Sequence, residues 1–174
     1  MVLLLLALVL GCYFIYSNVM QNRKEVREAV ARGEYEIPDK TEEDIGIEDW
    51  QQVYPNTVPM SIGDVSVRAS VADNLAERIE GLSDTPFLPE GVVKLFVFGA
   101  LGNHSIWMKD MNYSIDIIWA TEEGKIVHIE EKVSPDTYPE SFESPTPAWF
   151  VIETNAGFVA SSSIKVGDSI KLLE

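Results

Sequence analysis

Cysteine is all but missing: the single thiol among 174 residues is Cys12, inside an apolar N-terminal run. Beyond that run the chain has no disulfide, thiolate nucleophile or cysteine metal cluster to call on. Histidine is equally scarce. His104 and His128 stand far apart with no second histidine or cysteine at ligand spacing, so no metal site is predicted. Basic residues are few, 13 against 28 acids, for a net charge of −15. Such a surface repels phosphate backbones, and no basic stripe offsets it, which excludes nucleic acid as a partner. The glycines are scattered and form no phosphate-cradling loop, and there is no Gly-x-Ser-x-Gly elbow. No cofactor is indicated. Paired carboxylates for glycoside hydrolysis are conceivable with so many acids, but nothing singles out a pair.

What the chain does have is apolar side chains, 46% of the total, with mean hydropathy +0.03. That is enough to build a core despite the charge. The residues divide into an apolar segment at 1–20, a charged and acidic stretch at 21–57, and a folded domain at 58–174. Val2 to Tyr16 carries no charge, and extension to Met20 adds only Ser17 and Asn18 as polar residues. As a helix this segment reaches roughly 28 Å, close to the hydrocarbon thickness of a bilayer. It reads as an N-terminal transmembrane helix or a signal segment. A signal peptide lacks its cationic start here, because apolar residues follow Met1 directly. Val9-Leu10-Gly11-Cys12 loosely matches a lipoprotein box, but Leu10 is bulky and the apolar run continues through Tyr16. An uncleaved anchor is favoured, with the domain expected outside the cytoplasm. Arg23, Lys24, Arg27 and Arg32 pull the other way, since they favour a cytoplasmic flank.

Arg23 to Glu36 reads as a short polar helix with opposite charges four apart, such as Lys24 and Glu28. From Glu34 to Asp49, eight acids face Lys40 alone, which reads as a solvated linker. From Val58 the pattern changes to period two. Val65, Val67, Ala69 and Val71 alternate with polar residues, as in a half-buried strand. Asp73 is the expected cap of a helix through Glu80, ended by Gly81. Val92 to Phe98 and Ser105 to Lys109 read as strands. Ile115 to Thr121 and Lys125 to Val133 form a hairpin around Glu122-Glu123-Gly124. Ala148 to Glu153 and Asp168 to Leu173 supply the last strands, with a helical turn between them. Many short strands with few helices predict an all-β fold, an antiparallel β-sandwich or closed barrel with one or two short helices.

The ordered pieces of this domain resemble a known family. They are Glu77-Arg78-Ile79-Glu80-Gly81-Leu82, Leu88-Pro89 with Leu95-Phe96-Val97-Phe98, and Ile106-Trp107-Met108-Lys109. Ile115-Asp116-Ile117-Ile118, Val151-Ile152-Glu153 with Ala156-Gly157, and Ile164-Lys165-Val166-Gly167-Asp168 complete the set. Taken together, Ala76 to Leu172 resembles the domain of unknown function 192 family of prokaryotes. The resemblance implies a compact β-sandwich, often behind a signal or anchor, and implies no reaction. Members commonly follow Gly-Leu-Met with an aromatic residue and an arginine, whereas Gly81-Leu82 here precedes Ser83-Asp84-Thr85. Any ligand held by that arginine would lose it in this chain.

Candidate site residues lie mainly in Ser105 to Ile118. Alternation puts Ser105, Trp107 and Lys109 on one face and Ile106 and Met108 on the other. Asp116 is a lone charge within Ile-Asp-Ile-Ile-Trp and must find partners if buried. Either it accepts bonds from backbone or Lys109 and locks the turn, or Trp107, Lys109 and Asp116 line a ligand pocket. Glu77 and Arg78 are a second candidate pair, against the plainer reading of a solvated helix face. Ser134 to Pro147 holds four prolines with Tyr138 and Phe142, and reads as a cover over the sheet or a binding loop. The expected function is a membrane-tethered binding or accessory module of the cell envelope, taking a small molecule, a glycan or an envelope protein. The alternative is an envelope hydrolase using carboxylate and lysine residues.

Overall fold

The computed structural model describes residues 47–173, which belong to one compact unit. The expected N-terminal transmembrane helix or signal segment, the expected charged helix and most of the expected acidic linker lie outside the described residues. Among the described residues, no helix is long and apolar enough to cross a membrane.

The described residues open with helix α1 (Ile47–Val53), followed by strands β1 (Val58–Ile62) and β2 (Val65–Ala72), helix α2 (Leu75–Glu80) and the long strand β3 (Val92–Gly102). Then come β4 (Ile106–Trp107), β5 (Ile115–Ala120), β6 (Ile126–Val133), a 3-10 turn (Pro135–Thr137), β7 (Ser141–Phe142), β8 (Ala148–Asn155), helix α3 (Phe158–Ser161) and β9 (Ile170–Leu172). Tyr54, which falls in the stretch read as linker, is buried in the core, and Trp50 of α1 packs against the same cluster.

Seven strands form one sheet in the order β6-β5-β8-β3-β2-β1-β9, and β4 and β7 make a separate ribbon. This corrects the expectation of a sandwich or closed barrel: the sheet is a curled half-barrel. It also corrects the expectation of purely antiparallel pairing, because β2 and β3 run parallel. The connection through α2 carries the chain back along the sheet before β3 starts, and only a crossover of that kind can join parallel neighbours. The two outer strands approach each other at one end through a bridge between Lys125 and Ser169. Ile126 donates to the Asp168 carbonyl (2.8 Å), Gly167 to the Ile126 carbonyl (2.9 Å) and Ile170 to the Gly124 carbonyl (2.8 Å). Gly124 has φ +80°, and a Cβ there would strike the Ile170 carbonyl, so a larger residue would force these edges apart.

Alternation along the strands sorts the core into two clusters. Val67, Ala69, Leu95, Ile118, Ala120, Ile126, Ile152 and Ile170 fill one face, joined by Val159 and Ile164. The other face holds Ala72, Phe96, Ile117, Trp119 and Val151. Tyr54 just after α1, Leu82 and Leu88 from the connection after α2, and Ile106 and Met108 from the β4 region cover that face, with Phe142 of β7 packed beside them. The second layer is therefore built from connecting segments and a two-stranded ribbon, and not from a full second sheet.

Local chemistry sets the crossover. Asn74, not Asp73, caps α2: its side chain accepts from Glu77 N at 3.1 Å, while Asp73 N donates to the Glu77 carboxylate at 3.3 Å. Asp73 thus sits one place before the cap and uses its backbone. Gly81 ends the helix at φ +53°, donating to the Glu77 carbonyl at 2.8 Å.

Candidate functional site

Two charged residues stand alone within apolar strands, Lys94 in β3 and Glu153 in β8, and they are direct cross-strand partners. Their side chains share the face of Phe96, Ile117 and Val151 by strand alternation. Glu153 is only 4% exposed, and its Oε2 has no hydrogen-bond partner among the described residues. Burial pushes its carboxyl up to about 8, opposed by the positive charge of Lys94. Burial pushes Lys94 down, and the charges of Glu153, Glu77 and Glu80 oppose that shift. Lys94 Nζ reaches Ser70 Oγ at 3.4 Å.

A hydroxyl cluster stands beside this pair. Tyr54 donates to the Phe87 carbonyl (2.6 Å), and its oxygen lies 3.4 Å from that of Tyr113. Tyr113 and Thr85 oxygens are 2.6 Å apart, and Thr85 donates to the Leu82 carbonyl at 2.6 Å. Burial raises both phenols, and the charge of Glu153 adds to each shift. Asn155 donates to the Leu88 carbonyl at 2.9 Å, pinning the connection after α2 over the sheet.

Glu153 opens onto a narrow cavity of about 40 Å³, walled by Phe96, Leu82, Ile106, Trp107 and Met111, with Arg78, Glu80, Ser83 and Ser105 also lining it. Lys94 faces a wider cleft of about 420 Å³ with Tyr54, Ser70, Asp73, Glu77 and Thr85. Glu80 and Gly81 line both, so the end of α2 is the partition between them. A Cβ on Gly81 would come within 3.2 Å of the Phe96 ring, which leaves little room for a side chain at this partition.

The sequence candidates fall in three places. Trp107 and Arg78 line the narrow cavity, and Glu77 lines the wider cleft. Arg78 is held by the Asp73 carbonyl (2.6 Å) and the Val97 carbonyl (2.9 Å), with its guanidinium 5.5 Å from the centre of the Phe98 ring. Phe98 in turn stacks on His104 at 3.6 Å between ring centroids. Trp107 is 49% exposed and meets Tyr138 edge-on at 6.2 Å, so the proline-rich segment borders the cavity. Ser105 also donates to Glu143 of that segment.

Lys109 and Asp116 line neither space. Lys109 Nζ pairs with Asp110 at 3.0 Å. Asp116 is fully buried on the opposite face of the sheet from Glu153. Its carboxylate accepts from three backbone N–H groups: Lys132 (2.8 Å), Gly157 (3.0 and 3.1 Å) and Val159 (2.9 Å). It therefore ties β6 and the turn before α3 together, not the Asp110–Ser114 turn. Among the described residues, no group of three or more His, Cys, Asp or Glu side chains gathers for a metal ion.

Sequence reasoning singled out Asp116 as a lone charge in an apolar strand and passed over Lys94 and Glu153, which carry the same signal. An uncharged ligand group could meet either a carboxyl donor or acceptor at Glu153 near neutral pH, and an ammonium or hydrogen-bond donor across the partition at Lys94.

Comparison with known proteins agrees with this fold. Residues 58–172 match the model of the DUF192 family, described as "uncharacterized ACR". A protein of Sinorhizobium meliloti 1021, described as a candidate transcription regulator, has a similar crystal structure at TM-score 0.62 and 24% identity, over 67% of this chain and 92% of that one. A protein of unknown function from Novosphingobium aromaticivorans DSM 12444 is similar at TM-score 0.62 and 23% identity, over 66% of this chain and 84% of that one. No curated protein matches the sequence.

Proposed function

Since the chain belongs to the uncharacterised DUF192 family, we propose a function from the site itself: a binding module that takes a small polar ligand, or the end of a larger one, beneath α2. Buried Glu153, which lines a cavity with exposed Trp107 at its wall and whose Oε2 has no partner among the described residues, carries this reading. A buried polar atom without a partner costs stability, and a ligand that supplies the missing bond recovers it. Arg78 and Trp107 line the same narrow cavity as Glu153, and the wider cleft lies beyond the end of α2. The module is held at a membrane by the uncharged run Val2 to Tyr16 and works in the cell envelope, where a small molecule, a glycan or a peptide end is its ligand. Amide-resolved NMR of the full chain against a library of small amines, amides, acids and sugars tests the binding site. Hits should shift Gly81, Ser83 and the Trp107 indole together. A library that leaves all three resonances unmoved would overturn the reading. Sedimentation of the full chain with membranes tests the tether, and full recovery in the high-speed supernatant would sink it.

A second reading is favoured by the raised carboxyl of Glu153 beside a lysine whose own value is depressed. Such a pair suits acid–base catalysis, as in an envelope hydrolase. Turnover of a chromogenic ester or glycoside that disappears in Glu153→Gln would favour it over simple binding.

A further inference from the structure

We propose that the narrow cavity at Glu153 is a subsite for a primary ammonium group, carried by an alkylamine or by the amine end of a larger ligand. This rests on the binding-module reading and names the chemistry of that same site.

A buried carboxyl oxygen without a partner is completed by a donor, and an alkylammonium brings three N–H donors on a compact head. The cavity, about 40 Å³, suits a head of that size. Its walls include the rings of Phe96 and Trp107, whose faces attract a cation, and apolar Leu82 and Ile106 suit the attached methylenes. Charge points the same way. Glu80 lines the cavity beside Glu153, Glu77 and Asp73 line the adjoining cleft, and the whole chain carries −15. An anionic ligand would meet these carboxylates and the field of the entire protein.

The resident cations are already engaged. Arg78 is held by two backbone carbonyls and the Phe98 ring, and Lys94 faces the wider cleft with Ser70. Neither gives Oε2 a hydrogen bond. Binding changes the protonation of Glu153. Burial and the charge of Lys94 from β3 act on it; Glu80 and Arg78 from α2 line the same cavity, and its own charge bears on the phenols of Tyr54 and Tyr113. The carboxyl is protonated near neutral pH because it is buried, so an entering ammonium ionises it and one proton leaves to solvent.

Propylammonium chloride is the probe, with propionamide, propanol and propionate as neutral and anionic counterparts, all titrated into the full chain. Propylammonium should shift Gly81, Ser83 and the Trp107 indole at least ten-fold more tightly than any counterpart. Calorimetry in two buffers of different ionisation heat should show proton release for propylammonium alone. Glu153→Gln should weaken it at least ten-fold. Trp107→Leu, at an exposed position that leaves the fold intact, should weaken it several-fold. Equal or tighter binding of propionamide, propanol or propionate at the same resonances overturns the ammonium subsite and leaves the binding module standing. Unchanged propylammonium affinity in both variants also overturns the subsite. No response at these resonances to any of the four probes counts against both.

Discussion

Asp116 and Glu153 are buried carboxyls on adjacent strands, β5 and β8, and they face opposite sides of one sheet. Asp116 is surrounded by backbone N–H donors, and its two oxygens are satisfied three ways over. Glu153 faces a cavity and leaves Oε2 without a partner. The chemical groups differ by one methylene, yet one holds the fold together and the other strains it. Burial alone therefore does not mark a functional acid. The difference lies in whether the surrounding backbone was shaped around the charge, as the turn at Gly157 is around Asp116, or supplies one of its oxygens with no donor.

The contrast breaks first at Asp116. Asp116→Ala strands three backbone donors, Val159 N fully buried and the other two partly so, and should cost about 3–5 kcal/mol, read from urea midpoints. A cost below about 1 kcal/mol would mean that the carboxylate is dispensable and the contrast false.

Glu153 should behave oppositely. Glu153→Met fills similar space without a buried polar atom, and should stabilise by about 1–3 kcal/mol near neutral pH. Lys94, half-buried on its side of the partition, keeps its contact with Ser70. The gain must depend on pH with a definite sign. The folded carboxyl titrates at about 8 against an ordinary 4.5, so below 4.5 both states hold the proton and no penalty arises. Between 4.5 and 8 the unfolded chain releases its proton while the folded chain keeps it, and wild-type stability falls as pH rises. The advantage of Glu153→Met should grow across that window and level off above it. A difference that stays flat from acid to alkaline pH would show that Glu153 ionises normally.

Two smaller substitutions sharpen the picture. Tyr113→Phe removes the bond to Thr85 and should cost about 1 kcal/mol, seen as a small drop in Tm. Trp107→Leu, on the exposed ribbon, should change stability by less than about 0.5 kcal/mol. A large loss there would make Trp107 a structural residue and not part of a recognition wall.

Much of this fold was legible in local pattern. The valines of β2 alternate as written, the Glu122–Gly124 hairpin joins β5 and β6, and Gly81 ends α2. Alternation also put Ser105, Trp107 and Lys109 on one face and Ile106 and Met108 on the other, and the second pair is the one that is buried. The parallel pairing of β2 and β3 was not legible, because period-two alternation says nothing about which neighbour a strand chooses. The cover over the second face was hidden for the same reason: α1 and the β4–β7 ribbon are too short for their patterns to show which strands they pack on. At the site, Arg78 and Trp107 were found by type and context, but they meet only because α2 and β4 pack at one cavity. Glu153 stood in plain view after Phe150-Val151-Ile152, as Asp116 does within its own apolar run. Whether such a charge is satisfied depends on distant backbone such as Gly157, which no local window contains.

The closing bridge between Lys125 and Ser169 also bears on how this unit is made. β9 must pair with β1 and reach the start of β6, so the β1 edge stays open and the two ends of the sheet stay unjoined until residues 170–172 have been synthesised. A nascent chain held on the ribosome before that point carries two open edges, each a template for pairing with a neighbouring polypeptide. Ribosome-stalled chains ending just before Ser169 should accordingly recruit chaperones or self-associate, and chains stalled beyond the exit tunnel after Leu172 should not.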